Sequence, residues 1–369
     1  MKKCNFTFYV NNASHHIGGL LDALCANAEV GAVTLVAAQA VPADRLALGW
    51  KAQCEGLYTL VQSPNADWVE EHVRQSCDDT VHVFIGMRHY EIMTKGIGAC
   101  VRHGRRFGLF HEPRVREGVK GVLRYIQSWL TEGRIRRNGF VLAVGAHGPS
   151  WFLATGYKPA QVYPFCYFIK PGGEPQVLPP RDVLHIGYVG RLEQPKGILD
   201  VLEAARHITS NFRLAVVGNG ELAPVVRAAA ERDQRIVYAG ALQSDQVQTH
   251  LQGVDLLIQP SRTTDDGWGV VVSEALLNGA AVITSDRVGA SMCLEEAWRG
   301  RVVPAFAPKS IAAAVDAMVA EHVFTPELRV RRRAWALDHV AAEAGADYLL
   351  SVVRNFYENS ARPKSFVEG

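Results

Sequence analysis

Two cations placed just after an apolar run give the strongest chemical signal in the chain. In Val189-Gly190-Arg191-Leu192-Glu193-Gln194-Pro195-Lys196-Gly197 a strand ends, a glycine permits a tight turn, and Arg191 and Lys196 follow before a helix begins. A guanidinium grips two oxygens in a fork and an ammonium acts as a point charge, so the pair suits a diphosphate. The same pattern also suits two solvated cations beside a turn. Downstream, residues 259–285 read as strand, loop, helix, turn, strand. Gly267 and Gly269 let the loop backbone come close to a ligand. The helix start near Val270 offers free N–H groups and a positive dipole end. Asp266 in the loop and Glu274 one turn into the helix are carboxylates able to accept hydrogen bonds from neighbouring hydroxyls of a sugar or a ribose. Without such a ligand they read as a helix cap and a solvated helix residue.

Positioning these groups requires a strand before each loop and a helix after it, and that alternation runs the length of the chain. Strands are predicted at 6–10, 32–37, 80–85, 106–110, 141–144 and 161–164, and again at 183–189, 213–217, 235–239, 256–259, 281–284 and 301–303. Most are apolar on both faces, as strands of a parallel sheet covered by helices must be. The fold class is therefore α/β, with the doubly wound pattern occurring twice. The densest Pro/Gly stretch is a predicted linker at 169–181. It divides a first Rossmann-like domain at 1–168 from a second at 182–343, and a C-terminal helix and tail fill 344–369. Two such domains are expected to face each other across a cleft, with ligands at the carboxyl ends of the strands.

The rest of the composition mainly excludes. Among 369 residues the formal net charge is +2, which gives no whole-chain reason to bind nucleic acid. Seven scattered cysteines without CxxC spacing argue against a disulfide framework and a thiolate zinc site. His15 and His16 lack a third ligand at fixed spacing, so no metal is assigned to them. Met1-Lys2-Lys3 precedes an apolar run too short for a signal peptide, and no run approaches the ~20 residues that span a bilayer, so a cytoplasmic protein is expected. Residues 114–137 stand out by charge. Arg114, Arg116, Lys120, Arg124, Arg134, Arg136 and Arg137 face only Glu117 and Glu132, while Val119, Val122, Leu123, Ile126, Trp129 and Leu130 recur at helical spacing. Such a helix is compatible with an anionic membrane surface, at the inner face of the membrane. The commoner reading is a core-packing helix with a solvated basic face.

In order and spacing the second-half segments resemble the retaining family 4 (group 1) glycosyltransferases of the GT-B fold. The family carries a G-R-x4-K-G-like element, here Gly190-Arg191 to Lys196-Gly197, and an E-x7-E element, here Asp266-x7-Glu274, followed by a small-residue turn and strand at 275–283. Val216-Val217-Gly218-Asn219-Gly220-Glu221-Leu222 resembles its V-G-x-G-x-L turn, and 237–240 and 253–261 resemble the strands that follow. Two residues depart from the pattern: Asp266 is one methylene shorter than the family's Glu, and Ala281 stands where the family has proline.

The resemblance implies roles. Arg191 and Lys196 would hold the donor diphosphate, and Glu274 the donor ribose. Asp266, with the backbone of Gly267, Trp268, Gly269 and Val270, would meet the transferred sugar and its phosphates. Gly218, Asn219 and Gly240 would lie near the base. In the first half, His15-His16-Ile17-Gly18-Gly19-Leu20 resembles the family's Gly-Gly loop, so Gly18 and Gly19 would approach the donor phosphates. A strand ending in His111-Glu112 matches a place where the family often has a histidine facing the sugar; Glu112 would orient His111 or bind the acceptor hydroxyl. The implied enzyme is a metal-independent hexosyltransferase without a cofactor. It would move sugar from a UDP- or GDP-sugar to a glycan or polyprenyl-diphosphate-linked acceptor with retention, in bacterial surface polysaccharide or O-antigen synthesis. A nucleotide-sugar epimerase or hydrolase of the same fold and a non-catalytic nucleotide-sugar-binding protein are the competing readings. A nicotinamide oxidoreductase ranks behind both, because the first strand–helix turn lacks G-x-G-x-x-G.

Overall fold

The computed structural model describes residues 3–13, 15–42, 56–114, 118–173, 181–264 and 267–368. Asp266, Arg116, Glu117 and linker residues 174–180, all invoked above, lie outside the described residues. The chain divides into two units. The first joins Met1–Lys170 to Ala342–Gly369, and the second is Pro171–Ala341.

In the first unit β1 (Cys4–Asn12), β2 (Val30–Gln39), β3 (Thr59–Gln62), β4 (Thr80–Ile85), β5 (Arg106–His111), β6 (Phe140–Val144) and β7 (Val162–Phe165) form one sheet. Its order is β3-β2-β1-β4-β5-β6-β7, and every pair is parallel. The inner residues of β1, Phe6 to Val10, are all buried, as both-face coverage by helices demands. In the second unit β8 (Leu184–Val189), β9 (Phe212–Val217), β10 (Ile236–Gly240), β11 (Leu256–Gln259), β12 (Ala281–Ser285) and β13 (Gly300–Val303) form a second parallel sheet of order β10-β9-β8-β11-β12-β13. Each sheet turns back on itself at one switch point, between β1 and β4 in the first and between β8 and β11 in the second. Loops at the carboxyl ends of those strands are the natural ligand positions in such sheets.

Each unit has its own core. Tyr9 stacks on Phe84 at 4.4 Å within a first-unit cluster that includes Val141, Trp151 and Phe152. The second-unit cluster runs from Ile186, Leu214 and Ile258 to Val315 and Met318. The C-terminal helix Ala342–Glu358 belongs to the first unit, where Leu349, Val352 and Val353 are buried. Tyr357 there accepts from the Phe107 N–H at 2.7 Å and donates its hydroxyl to the Phe107 carbonyl at 2.9 Å.

The sequence reading differs from the structure in three places. Strand β3 was not anticipated; it is four residues long and only partly buried, so it carries no full apolar pattern. The basic segment is two helices, Gly118–Thr131 and Gly133–Asn138, which meet at Glu132. Gly18 and Gly19 lie inside the helix His15–Ala26 rather than in a loop before it. Among the described residues no helix is long and apolar enough to cross a membrane.

Candidate functional site

Three loops at the carboxyl edge of the second sheet are tied together through their main chains. After β8, the Gly190 N–H donates to the Val217 carbonyl at 3.0 Å and the Leu192 N–H to the Asn219 carbonyl at 2.9 Å. After β9, the Gly218 N–H donates to the Gly240 carbonyl at 2.8 Å, and the Tyr238 hydroxyl donates to the Gly218 carbonyl at 3.1 Å. Asn219 closes its own turn by accepting the Gly220 N–H on Oδ1 at 2.9 Å. Gly218 has φ +144°, and a Cβ there would sit 1.8 Å from the Gly190 carbonyl oxygen, so only glycine lets the two turns interlock. Gly218, Asn219 and Gly240 are thus one cluster, beside the turn that carries Arg191.

The loop after β11 is fastened to the same turn. The Arg262 N–H donates to the Pro195 carbonyl at 2.7 Å, and its guanidinium grips the buried Asp200 carboxylate with two bonds of 2.7 Å. Gly197, at φ +75°, ends the 3₁₀ turn Gln194–Lys196, and a Cβ would lie 2.1 Å from the Pro260 carbonyl oxygen. Glycine after Lys196 is therefore required by backbone conformation and by the approach of the β11 loop together. Arg191 is exposed and ion-paired with Glu193 at 2.9 Å. Lys196 is partly exposed on the 3₁₀ turn.

Gly269, in the left-handed region, starts the helix Val270–Leu277. Trp268 is buried: its indole N–H donates to Ser273 Oγ at 2.9 Å, and its carbonyl accepts the Ala290 N–H at 2.8 Å. Its side chain is a pillar under the loop. Glu274, one turn on, accepts from Gln248 Nε2 at 3.0 Å. Asn278, four residues further along the same face, donates to Gln248 Oε1 at 3.0 Å. Burial raises the Glu274 carboxyl to about 7, and the Gln248 hydrogen bond only partly opposes that shift. Near neutral pH the group therefore sits between a proton and a negative charge.

In the first unit the corresponding chemistry is held by side chains. His111 closes β5 and directs Nδ1 at the Glu112 carbonyl oxygen, 2.6 Å away. A carbonyl only accepts, so Nδ1 carries the proton. Burial, reinforced by the Arg114 charge, lowers His111 to about 4 against the pull of that hydrogen bond. The ring is thus neutral at pH 7, and Nε2 presents a lone pair. The Glu112 carboxylate accepts the Tyr167 hydroxyl at 3.0 Å. Burial, with Glu112 adding to it, pushes Tyr167 well above the usual phenol range. Gly19 is explained by packing, since a Cβ would lie 2.7 Å from the Lys170 nitrogen; one on Gly18 would lie 3.6 Å from the Tyr58 hydroxyl.

Comparison with known proteins gives this arrangement a family. Residues 184–321, most of the second unit, match the family described as "Glycosyl transferases group 1". The Alpha-D-kanosaminyltransferase of Streptomyces kanamyceticus is 28% identical over 178 residues, 45% of this chain and 44% of that protein. The chain spans under half the length of the curated relatives it matches. Among solved structures, the apo lipopolysaccharide outer core galactosyltransferase WaaB superposes with a TM-score of 0.71 at 14% identity, covering 95% of this chain and 99% of that one. HepE of Anabaena, in complex with UDP-glucose, gives 0.66 at 13% identity, covering 94% and 99%. The fold is that of the GT-B glycosyltransferases.

Within the second unit the sequence pointed to Arg191, Lys196, Glu274 and the glycines, and missed what holds them. Asp200 and Arg262 pair across a long stretch of sequence, and no local spacing marks that. Gln248 lies on another helix, Ser244–Gln252, and also left no motif. Asn278 had a readable signal: it is four residues after Glu274 on one helix face. The commoner reading of the basic segment is overturned. In Gly118–Thr131 the buried residues are Gly121 and Ser128, while Val119, Val122, Leu123, Ile126, Trp129 and Leu130 are exposed. Gly121 and Ser128 are small enough to seat the helix close to the unit, and the apolar stripe lies on the opposite face.

Proposed function

We propose that this protein is a glycosyltransferase which takes a sugar from a nucleoside-diphosphate sugar and passes it to a hydroxyl of a glycan or polyprenyl-diphosphate-linked acceptor. One observation carries the reading. The loop after β8 that carries the cations is bonded, Arg262 N–H to Pro195 carbonyl, to the loop after β11, which precedes the helix of Val270 and Glu274 at the switch point of a single sheet. Arg191, Lys196 and the positive end of the helix at Val270 suit a diphosphate, and Glu274 suits a ribose diol. The cluster of Gly218, Asn219 and Gly240 suits a base. The UDP-glucose bound by HepE supports a donor of this class.

In this reading the donor's two phosphates leave with charge offset by Arg191, Lys196 and the helix end, so positioning and electrostatics supply most of the rate. His111 Nε2 accepts a hydrogen bond from a hydroxyl of the transferred sugar. Glu112, oriented by Tyr167, faces the acceptor side. No carboxylate is assigned as a nucleophile. The acceptor attacks on the face the diphosphate leaves, the leaving oxygen takes the acceptor proton, and anomeric configuration is retained. No metal is assigned a part. The lipopolysaccharide role in the name of WaaB supports a place in bacterial surface polysaccharide synthesis, at the cytoplasmic side.

Thermal titration against UDP, GDP, ADP and dTDP, with and without magnesium, tests the donor site, because ligand binding to the folded state raises apparent stability. A rise with one nucleotide, independent of magnesium and lost in Glu274→Ala, is expected. No rise with any of them refutes the reading.

A further inference from the structure

The helix Gly118–Thr131 is amphipathic in the wrong sense for a helix on a water-facing surface. Val119, Val122, Leu123, Ile126 and Leu130 follow i, i+3, i+4, i+7, i+11 spacing and form one stripe. The stripe faces outward, with Val119 77% and Leu130 75% exposed, and Trp129 flanks it at 54%. A contiguous apolar surface of this kind marks an interaction site.

The opposite face explains why the helix stays in place. Glu132 is fully buried and accepts from Arg88 Nη2 at 2.8 Å, Ser128 Oγ at 2.8 Å and the Tyr157 hydroxyl at 3.0 Å. Arg114 reaches Ser128 Oγ at 2.9 Å and lies 3.5 Å from Glu132. Arg136 donates to the carbonyls of Ser128 and Thr155 and lies over the Trp129 ring at 5.6 Å. A polar hub therefore fastens the helix, and the apolar stripe faces away from it. The stripe is free to serve a partner.

Charge identifies that partner. Within 118–138 the only acidic residue, Glu132, is buried, whereas Lys120, Arg124, Arg134 and Arg137 are exposed. An outward apolar stripe, an indole beside it and exposed charge of one sign are the features of a helix lying in the interface of an anionic bilayer. We infer that Gly118–Thr131 docks this protein on an anionic lipid surface. The stripe enters the acyl boundary, and Lys120, Arg124, Arg134 and Arg137 meet lipid phosphates. The inference is independent of the nucleotide site, which lies in the other unit.

Vesicle flotation of the full chain tests it, with phosphatidylcholine alone and with phosphatidylcholine mixed with phosphatidylglycerol. Binding is expected only to the mixed vesicles and is expected to weaken with salt. Leu123→Ser with Ile126→Ser and Leu130→Ser should weaken it at least about tenfold. Lys120→Gln with Arg124→Gln should weaken it on the order of tenfold while keeping the stripe. Both variants should keep the wild-type melting temperature and nucleotide response. The inference is overturned by absence of vesicle binding, by equal binding to phosphatidylcholine alone, or by binding that both variants retain. Concentration-dependent dimerisation lost in the serine variant, without vesicle binding, also overturns it, since the stripe would then face a second copy.

Discussion

In the second unit the loops after β8, β9 and β11 are bonded to one another through the main chain, from Gly190 to Val217, Gly218 to Gly240 and Arg262 to Pro195. In the first unit the group after β5 is a set of side chains, His111 against the Glu112 carbonyl and Tyr167 against the Glu112 carboxylate. Both sheets use the same order around the switch point. The difference suits the two kinds of ligand proposed. A diphosphate is met by main-chain N–H groups and fixed cations, which need an exact loop path. A sugar or acceptor hydroxyl is met by a single side chain, which can be exchanged without rebuilding a loop.

The sharpest break of that contrast is to remove the second unit's cations. Arg191→Ala or Lys196→Ala should lower donor turnover by about 10²- to 10³-fold, as loss of one charge-stabilising group in a transition state does. Donor hydrolysis measured by release of nucleoside diphosphate reads this without knowledge of the acceptor. Unchanged kinetics in both variants would remove the diphosphate assignment. His111→Ala in the first unit should cost less, about 10- to 100-fold in turnover, the range expected for one unmade hydrogen bond in a buried site. Nucleotide binding should stay intact in that variant. Weakened binding of free nucleotide would place His111 in the wrong role.

This contrast also explains what was legible in the sequence. Loops built on the main chain need glycine at fixed places, and Gly197 and Gly218 are examples where a Cβ would strike a carbonyl. Such constraints leave a spaced pattern, which is why Gly190 to Gly197 and Gly267 to Glu274 were readable together with the strands that lead into them. The supports of the site left none: Asp200 with Arg262 and Gln248 with Glu274 are pairs made by the fold across many residues. The first unit offered only isolated letters. His111 could be singled out, but its tautomer depends on a carbonyl whose position only the fold sets. The apolar period of 118–131 was legible and its direction was not, because period tells which residues share a face and not which face is buried. Gly121, Ser128 and Glu132 settle the direction through size and through ion pairs to Arg88 and Arg114.

Acidity sharpens the comparison further, since the two units carry buried groups of opposite sign. The lowered His111 stabilises the fold fully above its ordinary value near 6.5, and that contribution is lost as pH falls towards about 4. His82, also buried and lowered to about 3, adds to the same acid loss. The raised Glu274 acts the other way: its contribution is full below about 4.5 and is lost as pH rises through about 7. Between about pH 4.5 and 6.5 the two contributions therefore oppose each other, and Glu274→Gln should steepen the fall in melting temperature towards acid. The ribose role adds a second readout. Hydroxyls donate best to the ionised carboxylate, so nucleotide affinity should rise up to about tenfold between pH 6 and pH 8. Glu274→Gln should bind weakly at both values, and a pH slope that survives in this variant would assign the titration to another group.

The smallest expected effect is none at all. If Arg191, Lys196 and the Val270 helix end offset the charge that grows on the leaving diphosphate, a divalent ion has no charge left to neutralise there. EDTA should then leave donor turnover unchanged, and added magnesium should leave the nucleotide-induced rise in melting temperature unchanged. Turnover lost in EDTA and restored by magnesium would mean that the second unit's main-chain and cationic cradle is incomplete without a metal. The contrast between a unit that binds charge and a unit that binds hydroxyls would then need a third component.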